Sequence, residues 1–193
     1  YVVLGNVLFA LMSDSTTSAM NSILDSSSLI KKIRIEKLIF PIEKVLFQLV
    51  NFCISLIAVA IVMVVMHVAP KISLIALPLL LVYVVLFSAG IGMALSATAV
   101  FFRDVRHLWS VAITAWTYAT PLFYPIEILP EWAAPIMQYN PMYHYVTYFR
   151  DIVLQGVVPG LGENFLCFGG ALITFAVGFL IFRKTEKKFI LYV

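Results

Sequence analysis

Long apolar runs separated by short polar segments dominate the chain. Leu46–Val68, Ser73–Phe102, Leu108–Ile126 and Asn164–Phe182 contain no Asp, Glu, Lys or Arg. A helix needs about 20 mostly apolar residues to cross the hydrocarbon of a bilayer. Each of these runs is long enough, although Pro121 and Pro125 break the third near its end. A fifth run opens the chain at Tyr1–Ser13 and turns polar over Asp14–Ser18. It spans only if its helix continues to about Leu24. The pattern predicts an all-α, polytopic membrane bundle forming one domain over 1–193, with spans near 1–24, 46–68, 73–102, 108–123 and 164–182.

Composition agrees. Hydrophobic residues make up 62% of the chain and charged residues 12%, against roughly 45–50% and about 25% in soluble domains. Mean hydropathy is +1.00. A disordered chain, a basic nucleic-acid binder and a disulfide-stapled secreted module are excluded. Cys53 and Cys167 fall inside predicted spans and read as buried small apolar residues.

Charge then sets orientation. Every Lys and Arg except Lys71 and Arg150 lies in one of three clusters: Lys31 to Lys44, Arg103 with Arg106, and Arg183 to Lys188. Alternating spans place all three on one side. Basic residues mark the cytoplasmic face, so the C-terminus is expected there. The chain begins without Met inside an apolar run, and is expected to lack at least one preceding span.

No Gly-x-x-x-x-Gly-Lys phosphate loop and no metal-ligand spacing of His or Cys occurs in the sequence. No catalytic residue and no metal or cofactor site is assigned to this chain. Charged residues deep in spans mark ion or proton paths. Asp14 is the one such candidate. At mid-depth a carboxylate costs about 2.5–3.5 kcal/mol on insertion scales, so it faces a wet conduit or the bundle, unless the helix frays at Met12.

Two connecting segments carry information. The stretch 26–41 interleaves Lys31, Lys32, Arg34 and Lys37 with aliphatics and ends at Phe40-Pro41. It reads either as a basic interfacial anchor or as a helix that docks into a cytoplasmic partner, with Ile30, Ile33 and Lys37 on one face. The tight turn Arg103-Asp104-Val105-Arg106 reads either as an ion-paired loop or as a second contact of that kind.

A third region, 124–150 with its preceding helix end, is dense in aromatics and prolines. It includes Tyr118, Phe123, Tyr124, Tyr139, Tyr143, Tyr145, Tyr148 and Phe149, with Pro121, Pro125, Pro130, Pro135 and Pro141. Proline ends or kinks helices, and irregular backbone exposed to lipid is not tolerated. Two half-depth helices around Asn140-Pro141 fit. The aromatics form either an interfacial belt or a gate over a conduit. Small residues recur every four positions at Ser88, Gly92 and Ser96, and at Gly170, Thr174 and Gly178. Such stripes allow close helix packing, here expected within the subunit.

The ordered set Phe40-Pro41, Phe102-Arg-Asp-Val105, Thr120-Pro-Leu-Phe-Tyr-Pro125, Asn140-Pro-Met142 and Phe149-Arg-Asp151 resembles the type-2 ATP-binding-cassette permeases that export polysaccharide, O-antigen or teichoic acid. The resemblance covers essentially the whole chain. It implies six spans, of which five are present, with a re-entrant hairpin before the last. It implies coupling to a nucleotide-binding ATPase subunit in two copies, through Lys31, Lys32, Arg34 and Lys37 and through Arg103, Asp104 and Arg106. ATP and Mg would belong to that partner. A second copy of the chain, a lipid-linked glycan, membrane lipid and a bacterial plasma-membrane location are also implied; nucleic acid is not. A drug, lipid or antibiotic-peptide exporter of the same type is the nearest alternative. A membrane-embedded enzyme acting on lipid-linked sugars is the alternative of another class.

Overall fold

The computed structural model describes residues 1–32, 35–67, 71–124 and 137–189. Among these residues the secondary structure is entirely helical. Helix α1 runs Val2–Asp25, α2 Ser27–Lys32 and α3 Ile39–Val65. A 3-10 turn, Ile72–Ala76, leads into α4, Leu77–Phe101. Helix α5 is Val105–Ala119 and α6 is Pro141–Arg150, which continues as a π-turn over Asp151–Gln155. Helix α7, Leu161–Thr185, ends in the 3-10 turn Glu186–Lys188.

Among the described residues, three elements are long and apolar enough to cross a membrane: Ile39–Val65, Ile72–Phe101 and Leu161–Lys188. They contain the predicted runs 46–68 (to His67), 73–102 and 164–182 almost completely. The bounds shift for local reasons. Pro41 is tolerated in the first turn of α3, where no backbone donor is needed, so the helix begins well before Leu46. Pro78 sits likewise in the first turn of α4, which confines the residues before it to a separate 3-10 turn.

Helix α5 departs further from the predicted 108–123. It starts at Val105 and stops at Ala119, a length of 15 residues, or about 22 Å at 1.5 Å per residue. Thr120 is extended (φ −102°, ψ 133°), as the residue before a proline prefers. Helix α1 settles the alternatives at its centre: it is continuous through Asp14, and no fraying occurs at Met12.

The core lies between α1, α4, α6 and α7, with Leu8, Met12, Leu80, Val84, Met142 and Phe149 fully or almost fully buried. Helix α3 packs on the outside. Its buried residues Val45, Phe52 and Val59 recur every seventh position, while Phe47, Val50, Ile54, Ile57 and Ile61 are exposed. An apolar face this long is a liability in water and suits lipid. Cys53 follows Phe52 and turns onto that outward face, so it is exposed rather than buried; Cys167 is buried as expected, and both are free thiols.

The small-residue stripes pack within the subunit. Gly90 and Gly178 bring α4 and α7 into backbone contact, and a Cβ on Gly178 would overlap the Gly90 carbonyl. Gly92 instead faces α1, where a Cβ would lie 2.7 Å from that of Ala19.

Candidate functional site

The three basic clusters meet at one end of the bundle. Lys37 Nζ donates to the Glu186 carbonyl oxygen at 2.6 Å and lies 5.8 Å from the Phe189 ring centroid. Arg183 pairs with Glu36 at 2.9 Å and with Glu186 at 3.2 Å. Leu24 and Ser27, at the end of α1 and the start of α2, share a cavity of about 360 Å³ with Arg103, Asp104, Arg106 and His107. Segments far apart in sequence thus join into one charged end.

Within it, α2 is short and two-sided. Ile30 is buried in a cluster with Ile23, Met93, Ala97 and Phe182, while Lys31 and Lys32 are exposed. The helix does not reach Lys37. Its described part is Ser27–Lys32, and Ile35 and Glu36 are non-helical before a turn at Lys37 and Leu38. The expected single face of Ile30, Ile33 and Lys37 therefore does not form as one helix. β-branched Ile35 after so short a segment weakens helix continuation. Ile33 and Arg34 lie outside the described residues.

The opposite end is tied down by Lys71 and Arg150. Lys71 Nζ donates to the carbonyls of Leu154 and Gln155 at 2.9 and 2.8 Å, capping the π-turn that ends at Gly156 (φ 75°). Ser73 Oγ donates to the Ile152 carbonyl at 2.6 Å. Arg150 is buried. It donates to the Pro121 and Leu122 carbonyls at 3.0 and 2.9 Å, and its guanidinium lies 3.6 Å from the Tyr1 ring centroid. Next to it, burial and then the Glu163 carboxylate push Asp151 above the usual carboxylate range.

Asn140 organises the aromatic region. Its side chain caps α6 by accepting from Met142 N at 3.0 Å, the role for which Asn is favoured. It also accepts from Trp116 Nε1 at 2.9 Å and donates to Thr120 Oγ1 at 3.0 Å. One residue thus starts α6 and fixes it to the end of α5. The predicted helix start at Pro141 is present; the first half of the hairpin, Trp132 to Met137, lies almost wholly outside the described residues, as do 125–136 of the gate region.

The eight predicted gate aromatics divide in two. Tyr145, Tyr148 and Phe149 are buried, on the face of α6 that enters the core. Tyr145 donates to the Cys167 carbonyl at 3.0 Å, and Tyr148 donates to Asn164 Oδ1 at 2.8 Å. Tyr118, Phe123 and Tyr139 are exposed, while Tyr124 and Tyr143 are half-buried. Tyr124 hydroxyl donates to the Tyr118 carbonyl at 3.0 Å. These five form the accessible part of the set.

Asp14 is exposed and belongs to a longer feature. Asn6, Ala10, Asp14, Thr17 and Asp25 are exposed along one side of α1, and Asn21 is half-buried beside them. This small, polar stripe contrasts with the aliphatic face of α3. Helix α5 packs beside α1 and buries none of its residues. The sequence signal for this face was the i, i+3/i+4 recurrence of Asn6, Asp14, Thr17 and Asn21, of which the polar run read around Asp14 included Thr17 but neither asparagine. Arg150 and Asn164 were also missed as internal polar anchors.

Comparison with known proteins bears on the whole chain. The ABC-2 type transporter family matches residues 1–154. An O-antigen export system permease protein RfbA of Klebsiella pneumoniae is 25% identical over 190 residues, covering 98% of this chain and 73% of that protein. The RfbA protein of Myxococcus xanthus is 25% identical over 161 residues, or 82% and 62% of the two chains. The polysialic acid transport protein KpsM of Escherichia coli is 21% identical over 104 residues, or 53% and 40%.

Proposed function

The chain belongs to the ABC-2 type transporter family, and we propose that it is the permease subunit of an exporter that moves a lipid-linked polysaccharide out across the plasma membrane. The single observation that carries this reading is the similarity to O-antigen export permeases along 98% of the chain. The subunit is a transport component, and ATP hydrolysis belongs to a separate subunit.

Five segments cross or enter the membrane out of six in the whole protein: α1, α3, α4, α5 and α7, with α6 as the described half of a re-entrant hairpin. The end that gathers the basic clusters is cytoplasmic, which the positive-inside rule supports. Two copies of the chain assemble with two ATPase subunits, and the conduit runs between the copies. The polar stripe of α1 and the open surface of α5 support this. Polar side chains facing lipid are costly, so that face suits water or another subunit. Teichoic acid and capsule remain cargoes of the same chemical class.

Coupling runs through 26–41. Buried Ile30 anchors α2 to α4 and α7, so a push on exposed Lys31 and Lys32 moves the bundle. ATP closure then biases two conformations and opens the accessible aromatics on the far side, exposed Tyr118 and Tyr139 with half-buried Tyr143. Reversing Lys31, Lys32 and Arg34 to Glu should uncouple ATP hydrolysis from export while the protein stays in the membrane. Unchanged export with all three reversed rejects the coupling assignment. Ala at Tyr118, Tyr139 and Tyr143 should alter flux with the ATPase still bound; unaltered flux rejects the gate.

A further inference from the structure

We infer that the cavity between the α1–α2 junction and the α4–α5 turn is a binding site for a phosphate group, as a phosphomonoester or diphosphate. It is lined by Leu24, Ser27, Arg103, Asp104, Arg106 and His107 and holds about 360 Å³. Neither arginine is in an ion pair or a side-chain hydrogen bond among the described residues, where the pairs are Lys44–Glu43, Arg183–Glu36 and Arg183–Glu186. Arg106 Nε is buried with no hydrogen-bond partner.

A buried donor left unmet is costly, and a topology signal alone does not require one. The exposed Lys31, Lys32, Lys187 and Lys188 already mark this end in water. Exposed Arg103 and half-buried Arg106 line the same concavity, and paired guanidinium groups match a phosphate, whose oxygens accept bidentate bonds. The Ser27 hydroxyl adds a neutral donor, and His107 adds a ring nitrogen. Asp104 is exposed at the rim; its negative charge opposes binding and favours a ligand that reaches past it. Leu24 provides an apolar wall, as a lipid-borne phosphate requires.

The inference goes beyond the export reading, because binding needs neither ATP turnover nor a particular glycan. The test uses the full-length permease with its ATPase partner, free of nucleotide, in phosphatidylcholine nanodiscs. The probe is fluorescent phosphatidic acid, with matched phosphatidylcholine as reference. Wild type should prefer phosphatidic acid at least tenfold. Arg103→Gln/Arg106→Gln should abolish that preference, Arg106→Lys should reduce it, and Lys187→Gln/Lys188→Gln should leave it intact. If the double glutamine variant does not assemble, Ser27→Ala should still lower the preference two- to fivefold.

Inorganic pyrophosphate distinguishes the sources of the group. Displacement of the lipid by millimolar pyrophosphate supports a site that reads the phosphate of a lipid headgroup. Equal binding of pyrophosphate to the detergent-solubilised complex without added lipid supports a free anion. A preference that survives Arg103→Gln/Arg106→Gln, or that falls equally with Lys187→Gln/Lys188→Gln, overturns the site in favour of a diffuse basic surface. Export that fails while this preference persists counts against the transport reading alone.

Discussion

Gly90 and Gly178 meet backbone to backbone, and no side chain fits between them. Without a hydrophobic driving force between helices in lipid, such close contact is a main source of association. Gly178→Val should therefore separate α4 from α7 and destabilise the subunit by more than the 1–3 kcal/mol typical of overpacking. Gly162→Ala, which meets nothing within 4 Å, should change stability by less than about 0.5 kcal/mol. Denaturation in detergent compares the two. Equal stability of Gly178→Val and wild type would show that the contact is dispensable.

Asn140→Ala removes the cap of α6 together with the bonds to Trp116 and Thr120. A lost cap costs about 1 kcal/mol, and the half-buried tether adds up to a comparable amount. Trp116→Phe breaks one of those bonds and keeps most of the ring contacts with Phe87 and Trp109. The double variant should be less destabilised than the sum of the two, because both remove the same hydrogen bond. Strict additivity would place Asn140 and Trp116 in separate roles.

The long spans were legible because apolar runs and prolines at helix starts act locally: Pro41 and Pro78 fix where α3 and α4 begin. The polar stripe of α1 was only half legible. Hydropathy registers Asp14 and its serines and threonines as an interruption, whereas the helix continues because its other face, with Leu8, Met12 and Ile23, is buried. The aromatic region was legible as a region but not by side. Tyr145 and Phe149 sit four apart on the core face, yet nothing in the residue types separates them from Tyr139 or Tyr143. Arg150 read only as a charge apart from the three basic clusters, because its partners are backbone carbonyls, which leave no trace in residue identity. The meeting of the three basic clusters followed from span alternation, while the links Lys37–Glu186 and Glu36–Arg183 depend on tertiary packing.

Asp151 should give the fold a pH dependence of definite sign. Its raised folded-state pKa, caused first by burial and then by Glu163, means the folded protein binds that proton more tightly than the unfolded chain. The associated stability is complete below the unfolded value of about 3.9 and is lost as pH rises through the folded value. Asp151→Asn lacks this loss. It should melt higher than wild type at pH 7, and the difference should shrink as pH approaches 4. A constant difference across that range would assign the effect to packing.

Arg150 holds the far end of the bundle together by serving two carbonyls that α5's proline-broken exit leaves without helical partners. Pro121 and Leu122 are buried there, and each carbonyl loses its donor in Arg150→Ala at about 1–3 kcal/mol apiece. The Tyr1 ring loses its cation as well. Arg150→Lys keeps the charge but replaces a planar fork by a point donor, so it should recover only part of the loss. Gly5→Ala tests the same contact from the other side, since its Cβ would lie 2.6 Å from Arg150 Nη2. It should destabilise in wild type and be better tolerated in Arg150→Ala. Measured by detergent denaturation, the order should be wild type, Arg150→Lys, Arg150→Ala. Arg150→Ala as stable as wild type, or Gly5→Ala equally harmful in both backgrounds, would show that this arginine does not anchor the turn after α5.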